Sequence, residues 1–147
     1  MKPWIWLRAL AVWLAIFAVG HTLGTAAPKV TRGPGEAVVF AAMQDFRFPV
    51  MGFERTYWEF YRGFALIISL QLLLMMAFAW QVGTISRHSR RLALPLAITL
   101  QLGCVGLAIL GWMFFFGAPI VLSVVAVICS TVAVVLLARN PDPREVL

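Results

Sequence analysis

Four long apolar stretches constrain this chain more than any other feature. They cover residues 4–24, 57–83, 92–116 and 118–138, and the last two contain no Asp, Glu, Lys or Arg. About 20 consecutive apolar residues wound as an α-helix cross the hydrocarbon core of a bilayer, which is about 30 Å thick. No water reaches the backbone there, so a segment must satisfy its own amides and carbonyls, as a helix does. Of 147 residues, 62% are hydrophobic and 12% charged. An average soluble domain has about 25% charged residues. A soluble fold of this length cannot hide so much apolar surface. The fold class expected is all-α: a single four-helix transmembrane bundle over 1–147, with a structured extracytoplasmic loop over 25–56.

The net charge is +6. In a soluble protein that would suggest nucleic acid. Here the basic residues sit at segment ends, so membrane topology is the better reading and no nucleic-acid partner is expected. With the N-terminus inside, Lys2, Arg8, Arg87, Arg90, Arg91, Arg139 and Arg144 are cytoplasmic. Lys29, Arg32, Arg47, Arg55 and Arg62 then lie outside, largely balanced by Glu36, Asp45, Glu54 and Glu59. Seven against five, with the tight cluster at 87–91, predicts both termini in the cytoplasm and a multi-pass protein of the inner (plasma) membrane. His88 within that cluster reads as a solvated loop residue. The first stretch also has the layout of a secretory signal, with Lys2 and Arg8 in front and small residues behind. Its long apolar run, and Pro28 directly after Ala27, favour retention as a span.

Cys104 and Cys129 both fall in apolar stretches, without a Cys-x-x-Cys pair, and read as small buried side chains. With only His21 and His88 as histidines, no metal site and no cofactor is expected. The connection between stretches three and four is very short. Small-xxx-small spacings at Cys104/Ala108 and Ala126/Ser130 predict a tight antiparallel hairpin there. Gln71 and Gln101 lie mid-span, where an inter-helix hydrogen bond is their expected task.

The 25–56 connection is different. A Pro/Gly turn region at 29–35 precedes a short amphipathic helix expected over 36–46, with Val39, Met43 and Phe46 on one side and Gln44 and Asp45 on the other. Phe40, Met43, Phe46, Phe48 and Phe53 are too apolar for a solvated linker. They are expected to lie against the spans or in the membrane interface, as a lid over the outer end of the bundle.

That lid leads into Phe53-Glu54-Arg55-Thr56-Tyr57-Trp58-Glu59-Phe60-Tyr61-Arg62-Gly63-Phe64, where charge and aromatic rings crowd the mouth of the second stretch. Each residue has an ordinary role open to it. Thr56-x-x-Glu59 fits a capping box. Tyr57, Trp58 and Tyr61 fit an interfacial belt, and Arg55 with Glu59 fits an i,i+4 ion pair. As a group they read as a ligand-binding site. Glu54, Trp58, Tyr61 and Arg62 are expected on one side of the first helical turns, with Arg55 and Glu59 beside them. His21, at the outer end of the first stretch, is expected at the same depth, within reach of Glu54, Glu59 or Tyr61. An ionisable residue inside a span is a functional candidate. The ligand-binding set is therefore His21, Glu54, Arg55, Tyr57, Trp58, Glu59, Tyr61 and Arg62, with His21, Glu54 and Glu59 as the catalytic candidates.

Gly20-His21-Thr22 on the first stretch, with the tract from Arg55 to Phe64 entering the second, resembles a group of small four-span bacterial membrane proteins of unknown function. The likeness covers the first half of the chain and implies the four-span fold but no activity. The four spans, with His on the first and acidic residues near the second, are also similar in architecture to sterol-isomerase and sigma-2 receptor-like membrane proteins. Those bind sterols and lipophilic amines beside an acidic pair, for which this chain has no clear match within its spans.

Three functions stay open at this level. The first is a binding protein for a membrane lipid or lipophilic small molecule held beneath the 25–56 loop. The second is an isomerase-like enzyme on a lipidic substrate, in which a carboxylate and His21 move protons. The third is an accessory subunit, either of a homo-oligomer or against a membrane partner protein.

Overall fold

The computed structural model describes residues 2–139. Arg144, counted above among the cytoplasmic charges, lies outside them. In order, the elements are α1 (Pro3–Ala26), α2 (Pro34–Asp45), β1 (Arg47–Val50), β2 (Phe53–Thr56), α3 (Tyr57–Ile85), α4 (Arg90–Phe114) and α5 (Gly117–Arg139). Apart from one short hairpin, the chain is helical. α1, α3, α4 and α5 are long and apolar enough to cross a membrane, and their ends fall close to the four apolar stretches. Local chemistry sets those ends. Proline stands at the first position of α1, where its missing N–H is no loss. Ser89 caps α4 by accepting from the Leu92 amide at 3.3 Å. The described residues form two compact units, one within 1–18 and 72–147, the other Val19–Gln71.

In the first unit, α4 and α5 pack on each other as the expected antiparallel pair, joined through Phe115 and Phe116. Apart from Leu100 and Leu137, their buried positions are small: Ala93, Ala97, Cys104 and Gly111 on α4, and Ser123, Ala126, Cys129, Ser130 and Ala133 on α5. Small side chains let two backbones approach closely, which drives helix association where lipid removes the hydrophobic effect. A Cβ at Gly111 would stand 3.4 Å from Ser123 Oγ, so this glycine marks one close approach. Gln101 donates across the pair to Thr131 Oγ1 at 2.9 Å, the inter-helix bond expected of a mid-span glutamine. Both cysteines are free and buried.

The same unit contains a contact that hydropathy alone cannot show. Arg8, expected as a topological charge, lays its guanidinium over the Trp80 ring at 3.4 Å. Its Nη2 donates to Thr84 Oγ1 at 2.8 Å, while Nη1 is buried without a hydrogen-bond partner. Arg87 lies over the Trp4 ring at 5.0 Å, and Trp13 Nε1 donates to the Leu122 carbonyl at 2.8 Å.

The second unit is built from the end of α1, α2, the hairpin and the start of α3. Pro34 opens α2, Glu36 reaches back to the Arg32 amide, and the helix stops at Phe46, which is extended (φ −73°, ψ 111°). The helix expected over 36–46 is therefore present, displaced towards Pro34. The segment after it, expected as part of a lid, is a hairpin. β1 and β2 pair antiparallel, with Val50 opposite Phe53 and Arg47 opposite Thr56. The two-residue turn has positive φ at both Met51 (49°) and Gly52 (85°). That is the signature of a type I′ turn, whose twist matches paired strands. Pro49 is tolerated because a two-stranded ribbon has only edge strands.

The apolar side chains of this segment are covered less than expected. No α2 residue is buried. Phe40, Met43 and Phe48 are half-buried, whereas Phe46 and Phe53 are 58% and 61% exposed.

Candidate functional site

α3 begins at Tyr57 with a reciprocal cap. Glu59 Oε2 accepts from the Thr56 amide at 2.8 Å, and Thr56 Oγ1 accepts from the Glu59 amide at 3.2 Å. This is the capping box that Thr56-x-x-Glu59 predicts, and it gives Glu59 a structural task. Because the helix starts only at Tyr57, Glu54 and Arg55 belong to β2. They do not share a helical face with Trp58, Tyr61 and Arg62, which corrects the expectation. Arg55 bonds to the Glu54 carbonyl at 2.9 Å and lies over the Phe53 ring at 5.3 Å, rather than pairing with Glu59.

Two aromatic rows leave the first turns of α3, because residues three and four apart are neighbours on a helix. One row meets the hairpin. Tyr57 lies 4.7 Å from Phe48 and 6.1 Å from Phe46, centroid to centroid, and Phe60 lies 5.8 Å from Phe48. The other row meets α2 and the end of α1. Trp58 stacks on Tyr61 at 5.3 Å and takes the edge of Phe40 at 5.8 Å, at 88°. Lys29 Nζ lies 5.6 Å above the Tyr61 ring and donates to the Gly24 carbonyl at 3.5 Å.

Between this second row and α2 is a cleft of about 560 Å³. Its walls include Ala37, Phe40, Ala41 and Gln44, which follow the i, i+3, i+4, i+7 spacing of one face of α2. Trp58 and Arg62 of α3 close the opposite side, and Thr25, Pro28 and Lys29 line the end. The cleft falls in the usual range for a small-molecule site, about 300–1,000 Å³. Arg62 makes no hydrogen bond, ion pair or ring contact with any described residue.

Of the residues expected to form the site, Trp58 and Arg62 line the cleft and Tyr61 backs it through Trp58. Tyr57 belongs to the hairpin row and Glu59 to the cap. Glu54 and Arg55 are on the hairpin. The cleft residues that sequence reasoning missed include Lys29, Ala37, Phe40, Ala41 and Gln44. The last four share one face of α2, whereas the expected apolar face ran through Val39, Met43 and Phe46, none of which lines the cleft, with Gln44 on the other side.

His21 has a different neighbourhood from the one expected. Its Nδ1 lies 3.0 Å from Ser69 Oγ, about three turns into α3. No bond to Glu54, Glu59 or Tyr61 is present among the described residues. Thr22 donates to the same Ser69 oxygen at 2.9 Å, and Ser69 donates to the Ala65 carbonyl at 3.2 Å. Thr25 returns to the His21 carbonyl at 2.9 Å. The depth reckoning failed because it placed His21 opposite the first turns of α3. Those turns instead face α2 and the hairpin. The His21–Ser69 cluster satisfies polar groups inside a span, where an unsatisfied one is costly.

With its four apolar helices, the chain belongs to the class of multi-pass helical membrane proteins. Comparison with protein-family models, with curated proteins and with solved structures finds no match for it.

Proposed function

We propose that this protein binds a lipid or lipophilic small molecule in the cleft between α2 and the start of α3. The observation that carries the reading is the cleft itself: it is sized for a ligand, walled by Phe40, Ala37, Ala41 and Trp58, and open to a few polar side chains at its ends. The reading includes a four-helix transmembrane bundle of the inner membrane, with both termini cytoplasmic. The 25–56 segment then lies on the outer side, where a lipid-derived ligand enters from the leaflet. The tight cluster of Arg87, Arg90 and Arg91 supports that orientation.

Mass spectrometry of lipids retained through purification tests the proposal. Ala41→Trp fills the cleft without removing a polar group, and Trp58→Ala opens its wall. Both are expected to lose the lipophile that the wild-type protein retains, at unchanged helix content. Retention equal to wild type in both variants would refute the reading.

A further inference from the structure

The charges around the cleft are unevenly placed. Two cations, Lys29 and Arg62, line it, and no carboxylate does. The four acidic residues of the Val19–Gln71 unit are otherwise disposed. Glu59 is held in the capping box and Glu36 turns back to the Arg32 amide. Asp45 is the last residue of α2, and Glu54 stands on β2 opposite Pro49. None is in the wall. Lys29 is held by the Gly24 carbonyl and the Tyr61 ring, both without net charge. Arg62 has no counter-ion among the described residues. The remaining wall is Ala, Phe, Trp, Pro, Thr and Gln.

Resting on the binding function proposed above, we infer that the ligand is an anionic amphiphile. Its phosphate or carboxylate is received by Lys29 and Arg62, and its apolar part lies against Phe40, Ala41 and Trp58. Arg offers a planar fork that grips an oxyanion at two points, and Lys adds a compact point charge. Thr25, Thr31 and Gln44 supply neutral hydrogen-bonding groups for the remaining headgroup atoms. A zwitterionic headgroup brings its own cation towards the same two cations, so repulsion selects against it. A lipophilic amine is excluded on the same ground, which separates this cleft from sites built on an acidic pair.

The test uses the full chain in detergent. It is titrated with phosphatidylglycerol or with phosphatidylcholine of the same acyl chains, and bound lipid is counted by native mass spectrometry. Wild type is expected to prefer the anionic lipid by about tenfold or more, the scale of one charge-assisted hydrogen bond. Lys29→Gln with Arg62→Gln is expected to abolish the preference, by weakening phosphatidylglycerol binding and relieving the repulsion of phosphatidylcholine. Lys29→Arg with Arg62→Lys keeps both charges and is expected to keep the preference, which separates charge from folding. Equal binding of the two lipids by wild type, or a preference that survives the double glutamine variant, would overturn the inference and leave the binding function standing. Binding of neither lipid would also overturn the inference, while the binding function stands or falls on the lipophile retained by wild type against Ala41→Trp and Trp58→Ala. Inorganic phosphate at millimolar concentration is the last arm. It is expected to compete poorly; displacement as strong as that by phosphatidylglycerol would overturn the amphiphile in favour of a free-anion site.

Discussion

His21 Nδ1 and Ser69 Oγ lie 3.0 Å apart, and Thr22 donates to the same serine oxygen at 2.9 Å. One hydroxyl thus gathers two polar side chains of α1 within segments apolar enough to span a membrane. Ser69 is 7% exposed, and its oxygen also donates to the Ala65 carbonyl. The serine oxygen is thus shared among His21, Thr22 and the Ala65 carbonyl.

The network yields the first prediction. Ser69→Ala removes the shared partner and is expected to cost about 1–3 kcal/mol, the usual penalty for a buried group left unsatisfied. His21→Gln keeps a hydrogen-bonding group at the same place and is expected to retain both melting temperature and lipid retention. Thermal unfolding in detergent reads both variants. An intact fold with ligand retention lost in His21→Gln would show that a titrating imidazole is needed, since an amide does not titrate near neutral pH.

The capping box yields a second prediction, with opposite effects at its two ends. Thr56→Ala is expected to cost about 0.5–2 kcal/mol through the lost N-cap. Glu59→Gln is expected to be nearly silent, since glutamine serves in the same motif. If Glu59→Gln left the melting temperature unchanged but abolished lipid retention, the carboxylate charge would be part of the site and the structural role insufficient.

The Arg8–Trp80 contact reverses the usual ranking of a charge and its neighbour. Trp80→Leu removes the ring under the guanidinium at 3.4 Å and leaves a partly buried cation with only Thr84. A desolvated cation–π contact contributes about 2 kcal/mol, so a loss of that order is expected. Arg8→Leu removes the buried, unpartnered Nη1 together with the charge and is expected to destabilise less. A greater loss for Arg8→Leu than for Trp80→Leu, measured by thermal unfolding, would contradict this account.

Topology is open to direct labelling. His88 is exposed between α3 and α4, beside Arg87, Arg90 and Arg91, whereas Cys104 and Cys129 are buried. In intact cells, His88→Cys is expected to resist an impermeant thiol reagent and to react after permeabilisation. Labelling before permeabilisation would invert the orientation and place the cleft on the cytoplasmic side.

Much of the fold was legible in the sequence because its signals are local or additive. The four long apolar stretches become four long helices, since lipid leaves a backbone no other partner than itself. Thr56-x-x-Glu59 closes into its cap because both partners lie within one turn. Gln101 finds Thr131 because a mid-span amide has few alternatives to a neighbouring helix. The expected site was legible only in part: Trp58 and Arg62 line the cleft, whereas Glu54 and Arg55 proved to lie on a strand. Tertiary structure decided the rest. Periodicity in a 12-residue amphipathic helix does not say which face lines a cleft, and packing chose Ala37, Phe40, Ala41 and Gln44 over the expected Val39, Met43 and Phe46. Nor does hydropathy fix the register between two spans, since sliding one helix along another changes no count of apolar residues. That register is set by side-chain contacts between α1 and α3, and it gave His21 to Ser69.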